Sequence, residues 1–152
     1  MTKATFTVNK DKLEVRIERV FETTPARLWQ AHTDPTQIVR WWEGTTVDKL
    51  DVRIGGAWRF VSGANGEHAF RGEYIEVDEP RKLVRTFEYE PYAGHVSVES
   101  ATFEPLDNGR TKLTMVQTFS SLDDLNGMVG SGMEDGAAAG LERLAKVVEV
   151  QE

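Results

Sequence analysis

The sequence predicts an α+β domain in which a curved antiparallel sheet of about seven strands wraps around a long C-terminal helix, with two short helices after the first strand. Three observations predict it. From Gly44 onward the apolar pattern has a period of two and keeps it through residue 119, broken only by short turns. Before that run, two proline devices, Thr24-Pro25 and Asp34-Pro35, each open a helix. After it, residues 131–150 carry Met133, Ala137, Leu141, Leu144 and Val148 four, four, three and four positions apart, one face of an amphipathic helix. Residues 1–152 read as one domain with its core at about 13–149.

Residues 13–21 alternate, with Leu13, Val15, Ile17 and Phe21 on one side and Glu14, Arg16 and Glu18 on the other, as in a strand with one wet face. Arg19 interrupts the apolar side, either as a strand-end ion pair or as a polar anchor inside a pocket. The first short helix, 25–32, turns Leu28 and Trp29 inward. The second starts at Pro35, runs into Trp41-Trp42 and is closed by Gly44. Strands follow at 46–54, 57–61, 68–77, 82–89, 96–105 and 111–119. Turn residues separate them at Gly55-Gly56, residues 63–66, Glu79-Pro80, residues 91–94 and Asp107-Asn108-Gly109. Connections this short join antiparallel neighbours, and a long twisted meander curls enough to hold a helix in its concave face. Ser121 and Asp124 make a weak capping-box match that opens a short helical segment before Gly127.

Composition narrows the function classes. Twenty-five acidic against eighteen basic residues give a net charge of −7, which disfavours nucleic acid as a partner. Cysteine is absent, so there is no disulfide framework, thiolate metal site or cysteine nucleophile. No apolar run approaches the length of a membrane span, and residues 1–13 are polar and broken rather than signal-like. A soluble cytoplasmic protein is expected.

Within the last helix the residues change character. Gly136, Ala137, Ala138, Ala139 and Gly140 are all small, whereas Leu141, Leu144 and Val148 are not. A glycine inside a helix costs on the order of 1 kcal/mol relative to alanine, so two of them flanking three alanines need a local reason. One reason is close packing on a neighbouring backbone; the other is a helix wall thinned to leave a cavity.

The residues facing that helix are large. Trp58, Phe60, Phe70, Tyr74, Phe87 and Met115 fall on the apolar face of the sheet, opposite Met133, Ala137, Gly140 and Leu141. Trp41 and Trp42 are consecutive, so that one packing under the sheet leaves the other pointing toward a cavity mouth or solvent. Together these residues are the expected lining of a ligand cavity, and Arg19, Tyr74, Tyr89, Gln117 and Glu134 are the polar groups that could orient an occupant. None of them forms a recognisable catalytic set. Glu134 and Asp135 also suit the positive end of the helix dipole without any further role. Asp51, Arg53 and Arg71 predict a wet-face ion network. His32, His68 and His95 are not at metal-ligand spacing and read as structural or exposed, so no metal is expected. Ser131, between Gly130 and Gly132, lacks the full Gly-x-Ser-x-Gly pattern of a nucleophile elbow and reads as an N-cap.

At this point several segments, in order, resemble a known family. They are residues 17–29, Thr33-Asp34-Pro35, Arg40-Trp41-Trp42, residues 51–60 and 70–74, and the tail at 132–136 and 141–145. The sequence is similar to the domain found at the C-terminus of the heat-shock-protein-90 ATPase activator, which in bacteria commonly stands alone. That domain belongs to the START-like, or SRPBCC, superfamily. The resemblance spans about residues 13–148 and implies the helix-grip fold, with an apolar cavity between sheet and helix. Many relatives carry a tryptophan after the glycine at the position of Ala137, which bears on the cavity floor. Three functions are consistent with the resemblance: binding of a small hydrophobic or amphipathic molecule without covalent chemistry and with no cofactor; a chaperone-associated interaction module; and a cyclase-like enzyme acting on an aromatic or polyketide-like substrate. The last requires a buried carboxylate or histidine with a perturbed pKa in the cavity.

Overall fold

Both proline devices act as caps. Thr24 Oγ1 accepts a hydrogen bond from the Arg27 amide at 3.3 Å at the head of α1 (Pro25–Thr33), and Asp34 Oδ1 accepts one from the Thr36 amide at 2.9 Å at the head of α2 (Pro35–Trp41). The structure, a computed structural model, describes residues 3–42, 44–63 and 65–149. Val150, at the end of the predicted helix, and Ala64, within the predicted turn at 63–66, lie outside the described residues.

Among the described residues the sheet has eight strands rather than about seven. They are β1 (Thr5–Asn9), β2 (Glu14–Phe21), β3 (Thr45–Leu50), β4 (Ala57–Ser62), β5 (His68–Asp78), β6 (Lys82–Tyr89), β7 (Ser97–Pro105) and β8 (Thr111–Thr118). Every pairing is antiparallel, in the order β1-β2-β8-β7-β6-β5-β4-β3. The additional strand is β1, which pairs with β2 from Thr5 opposite Glu18 to Asn9 opposite Glu14. The polar residues after Val8 are a hairpin turn and not the edge of structure. The Lys12 amide donates to Asn9 Oδ1 at 3.1 Å, and Leu13, with φ 55°, belongs to the turn, so β2 begins at Glu14.

The remaining differences are local. β3 ends at Leu50, short of the predicted residue 54, because the chain bends back at Gly56, where a Cβ would collide with the Asp51 carbonyl oxygen. Asp51 pairs with Arg53 at 2.8 Å, but Arg71 pairs with Glu88 at 3.0 Å instead of joining them. Register explains this, since Arg71 lies opposite Glu88 on β6 and Arg59 on β4. Ser121 caps α3 (Leu122–Gly130), which continues past Gly127. Ser131 closes α3, its hydroxyl donating to the Met128 carbonyl at 2.6 Å, and the N-cap of α4 (Met133–Val148) is Gly132 at φ 88°. Among the described residues no helix is long and apolar enough to cross a membrane.

The core is filled at one end of α4 and not at the other. Leu141, Leu144, Ala145, Val147 and Val148 are buried, whereas Gly136, Ala138 and Ala139 are exposed and Met133, Ala137 and Gly140 half-buried. Anchors gather at the filled end. Arg27 donates to the Val147 carbonyl at 2.9 Å and Arg143 to the Trp41 carbonyl at 2.9 Å, and Arg19 pairs with Glu142 at 3.2 Å.

Candidate functional site

The small-residue segment of α4 does not pack on another backbone. A Cβ added at Gly136 or at Gly140 would meet no atom within 4 Å. The open alternative, a thinned wall, is the arrangement present: Gly136, Ala137 and Gly140, with Met133 and Leu141, form one side of a cavity of about 400 Å³. That volume lies within the range of roughly 300–1,000 Å³ typical of small-molecule sites.

The sheet closes the opposite side through Phe60, Phe70, Phe87, Met115 and Gln117, and α2 closes the end through Trp41 and Trp42. Both tryptophans line the cavity. Trp42 is the C-cap of α2, and its non-helical backbone (φ −90°, ψ 87°) re-aims the side chain. Its ring then meets Phe60 edge-on, with centroids 5.1 Å apart, and lies 5.8 Å from Phe70. Trp41 is held by its indole N–H, which donates to the Ala31 carbonyl at 2.8 Å.

Four of the residues expected at the cavity lie elsewhere, and a fifth lies in an adjoining groove. Trp58 is buried, but Arg85 covers it, the guanidinium carbon 4.0 Å above the ring, and its indole N–H donates to the Thr86 carbonyl at 3.1 Å. Tyr74 is fully buried beside Arg85, and burial raises the pKa of its phenol. Arg19 takes the ion-pair alternative, with Glu142 at 3.2 Å and Glu149 at 3.8 Å. Glu134 is exposed in the first turn of α4. Tyr89 lines the groove, a space of about 670 Å³ that shares Phe70, Phe87, Met128 and Met133 with the cavity. At this groove the Tyr89 hydroxyl lies 2.6 Å from His68 Nδ1, and His95 Nδ1 lies 2.7 Å from Asp124 Oδ1. Both histidines are exposed, as expected.

The cavity also holds Arg85 and Glu99, which the sequence reading missed, beside Gln117, which it named. Arg85, Glu99 and Gln117 stand opposite one another on β6, β7 and β8, a polar row across the otherwise apolar concave face. Arg85 Nε donates to Glu99 Oε1 at 2.8 Å, with the two side chains only 13% and 14% exposed. Gln117 Nε2 donates to Ser97 Oγ at 2.8 Å. A signal was available, because Arg85 sits between Leu83 and Phe87 in the alternation, and Glu99 between Ser97 and Ala101. A charge at an apolar-face position on two strands is a pairing signature.

His32 completes this corner and is half-buried rather than exposed. Its ring lines the cavity between Trp41, 5.1 Å away, and Phe103, 5.2 Å away. Nδ1 lies 2.8 Å from the Leu28 carbonyl oxygen. A carbonyl can only accept, so Nδ1 carries the proton and Nε2 presents a bare lone pair. Nε2 is buried and has no hydrogen-bond partner among the described residues. Burial pushes the pKa of the ring down to about 4, so that the imidazole is neutral at pH 7. Among the described residues no group of three or more histidine or carboxylate side chains is placed to hold a metal ion.

Residues 22–149 match the family described as "Activator of Hsp90 ATPase homolog 1-like protein". The chain belongs to that family. No match was found among curated proteins. Solved structures with the same fold include a protein from Mycobacterium smegmatis, 26% identical over 98% of this chain and 99% of that one, with a TM-score of 0.87. One from Chromobacterium violaceum is 28% identical over 91% and 99%, with a TM-score of 0.77. An Hsp90 activator from Plasmodium falciparum, 22% identical over 70% and 72% with a TM-score of 0.59, shares the fold. The family places this chain in the START-like superfamily, with the helix-grip arrangement of sheet and C-terminal helix described above.

Proposed function

We propose that this protein binds a small apolar or amphipathic molecule in the cavity between the N-terminal half of α4 and the concave face of the sheet. The observation that carries the reading is the pair Gly136 and Gly140. Each weakens the helix by on the order of 1 kcal/mol relative to alanine, yet nothing packs against either one. A segment that keeps space open at the expense of its own helix suits an occupant. The test is native mass spectrometry of the protein isolated from its own host, paired with Ala137→Trp, which fills the cavity from the helix side. A stoichiometric small molecule in the wild type, lost in a folded Ala137→Trp variant, is expected. Retention of that molecule by the folded variant would remove it from this cavity.

A second reading, a chaperone-associated module, draws on the family description and on the Plasmodium falciparum activator. It predicts stimulation of the ATPase of the chaperone from the same organism. The enzyme reading asked for a buried histidine or carboxylate with a shifted pKa, and His32 meets that condition. A base that protonates only near pH 4 is nonetheless a poor proton acceptor at neutral pH, and Glu99 is engaged by Arg85. Hydrogen bonding to an occupant is the role this corner suits better.

A further inference from the structure

The polar corner limits what the occupant can be. Arg85 and Glu99 neutralise each other within the cavity wall, with Nε and Oε1 2.8 Å apart. Gln117 gives its N–H to Ser97. His32, tied through Nδ1 to its own helix, keeps one buried acceptor lone pair at Nε2 with no donor opposite it. A buried acceptor without a donor is unfavourable, and the ordinary remedy is a hydrogen-bond partner. The ring's neighbours Leu28, Trp41 and Phe103 do not supply it. Leu28 offers a carbonyl already engaged by Nδ1, and Trp41 donates its N–H to Ala31. Phe103, the other ring against the imidazole, has no polar atom. His32 lines the cavity, so an occupant is placed to supply that donor.

We propose that the occupant is an uncharged molecule with an apolar body and one hydrogen-bond donor, a hydroxyl above all, which it gives to His32 Nε2. This rests on the cavity reading above and specifies its ligand class. An anionic head group meets an acceptor lone pair at His32, which repels it, and an Arg85 already neutralised by Glu99. An ammonium group meets a Glu99 held by Arg85. Both would lose hydration without gaining an unpaired counter-charge from this corner. A hydroxyl gives up little hydration and satisfies the orphan acceptor. His32 thereby becomes the residue that selects the polar end of the ligand, while Phe87, Met115 and Ala137 select for apolar bulk.

The test uses three probes with one apolar body: 2-naphthol, which is un-ionised at pH 7 and donates; 2-methoxynaphthalene, which cannot donate; and 2-naphthoate, which is anionic. Binding to the full chain is measured by titration calorimetry and by 1H–15N spectra that report the His32 ring nitrogens. The expected result is that 2-naphthol binds about tenfold more tightly than either of the others, the value of one hydrogen bond to a buried acceptor. The His32 Nε2 resonance should move toward the hydrogen-bonded position with 2-naphthol alone. In His32→Phe the preference for 2-naphthol over 2-methoxynaphthalene should disappear while both still bind. Equal affinities in the wild type, or an Nε2 resonance that ignores 2-naphthol, overturn the proposed ligand class and leave the cavity reading intact. Binding of none of the three overturns both. Should His32→Phe fail to fold, the wild-type Nε2 resonance decides by itself.

Discussion

Arg85 and Glu99 face each other across β6 and β7 in the cavity wall, Nε to Oε1 at 2.8 Å, and the guanidinium carbon lies 4.0 Å from the centre of the Trp58 ring. Two neighbouring residues, Glu99 and Trp58, are thus held by one cation. The pair cannot be dismantled from one side without leaving a buried charge. Removing either partner alone, as in Arg85→Met or Glu99→Leu, is expected to destabilise the fold by about 3 kcal/mol or more, because the survivor is left unneutralised in a low-dielectric wall. The double substitution should cost less than either single one. Urea denaturation of the four proteins in a double-mutant cycle checks this, and additive losses would contradict it.

The neutral His32 makes stability depend on pH in a defined window. Its folded-state pKa is about 4 against 6.5 in the unfolded chain. Above pH 6.5 neither state holds the proton. Between 6.5 and 4 the unfolded chain binds it and the folded chain does not, so stability falls as pH falls, by about 3 kcal/mol across the whole window. Below pH 4 this contribution is constant, and the carboxylates whose pKa values are lowered, Asp34, Glu88, Glu90 and Asp124, take over the acid destabilisation. Denaturation midpoints at pH 7, 5.5 and 4.5 should fall for the wild type. In His32→Phe the decline should be clearly shallower across that range, and an unchanged slope would show that His32 is not the group responsible.

Arg19 belongs to stability and not to the site. Its side chain is 4% exposed, reaches Glu142 on α4 and Glu149 at the C-cap of that helix, and lies over Phe21 at 4.6 Å. Arg19→Met retains the apolar stem and removes the charge. It should lower the melting temperature while leaving any affinity measured for the cavity unchanged. A loss of affinity at full stability would return Arg19 to the binding machinery.

The sequence made the architecture legible wherever a pattern is repeated or chemically marked. The two proline caps, the meander and the apolar face of α4 were all read from spacing, and all are present. β1 was not, because five residues with polar neighbours carry too little periodicity to announce a strand until the register with β2 is seen. The cavity wall was half legible. Large residues on the sheet opposite small ones on the helix announce a gap, but they do not say which large residue another side chain covers. Trp58 and Tyr74 looked like lining and lie behind Arg85 instead. His32 was out of reach for a different reason. Whether a histidine at a helix end faces solvent or a cavity depends on the distant residue packed beside it, here Phe103, more than seventy positions along the chain.

Gly136 and Gly140 separate packing from function most directly. Neither has a positive φ, and a Cβ at either one meets no atom within 4 Å, so alanine fits the backbone without strain. Each of Gly136→Ala and Gly140→Ala should stabilise the protein by about 0.4–1 kcal/mol, through higher helix propensity and a less disordered unfolded chain. Were the glycines present for close packing, the same changes would destabilise by a comparable amount or more. Larger side chains at the same positions extend the series. Gly140→Leu should leave the fold near wild-type stability, since the space is there, while occupying the cavity and weakening binding of a naphthalene-sized probe by at least tenfold. Thermal melts give the first quantity and titration calorimetry the second. A series in which stability and affinity rise together would mean that the gap beside α4 is not where a ligand sits.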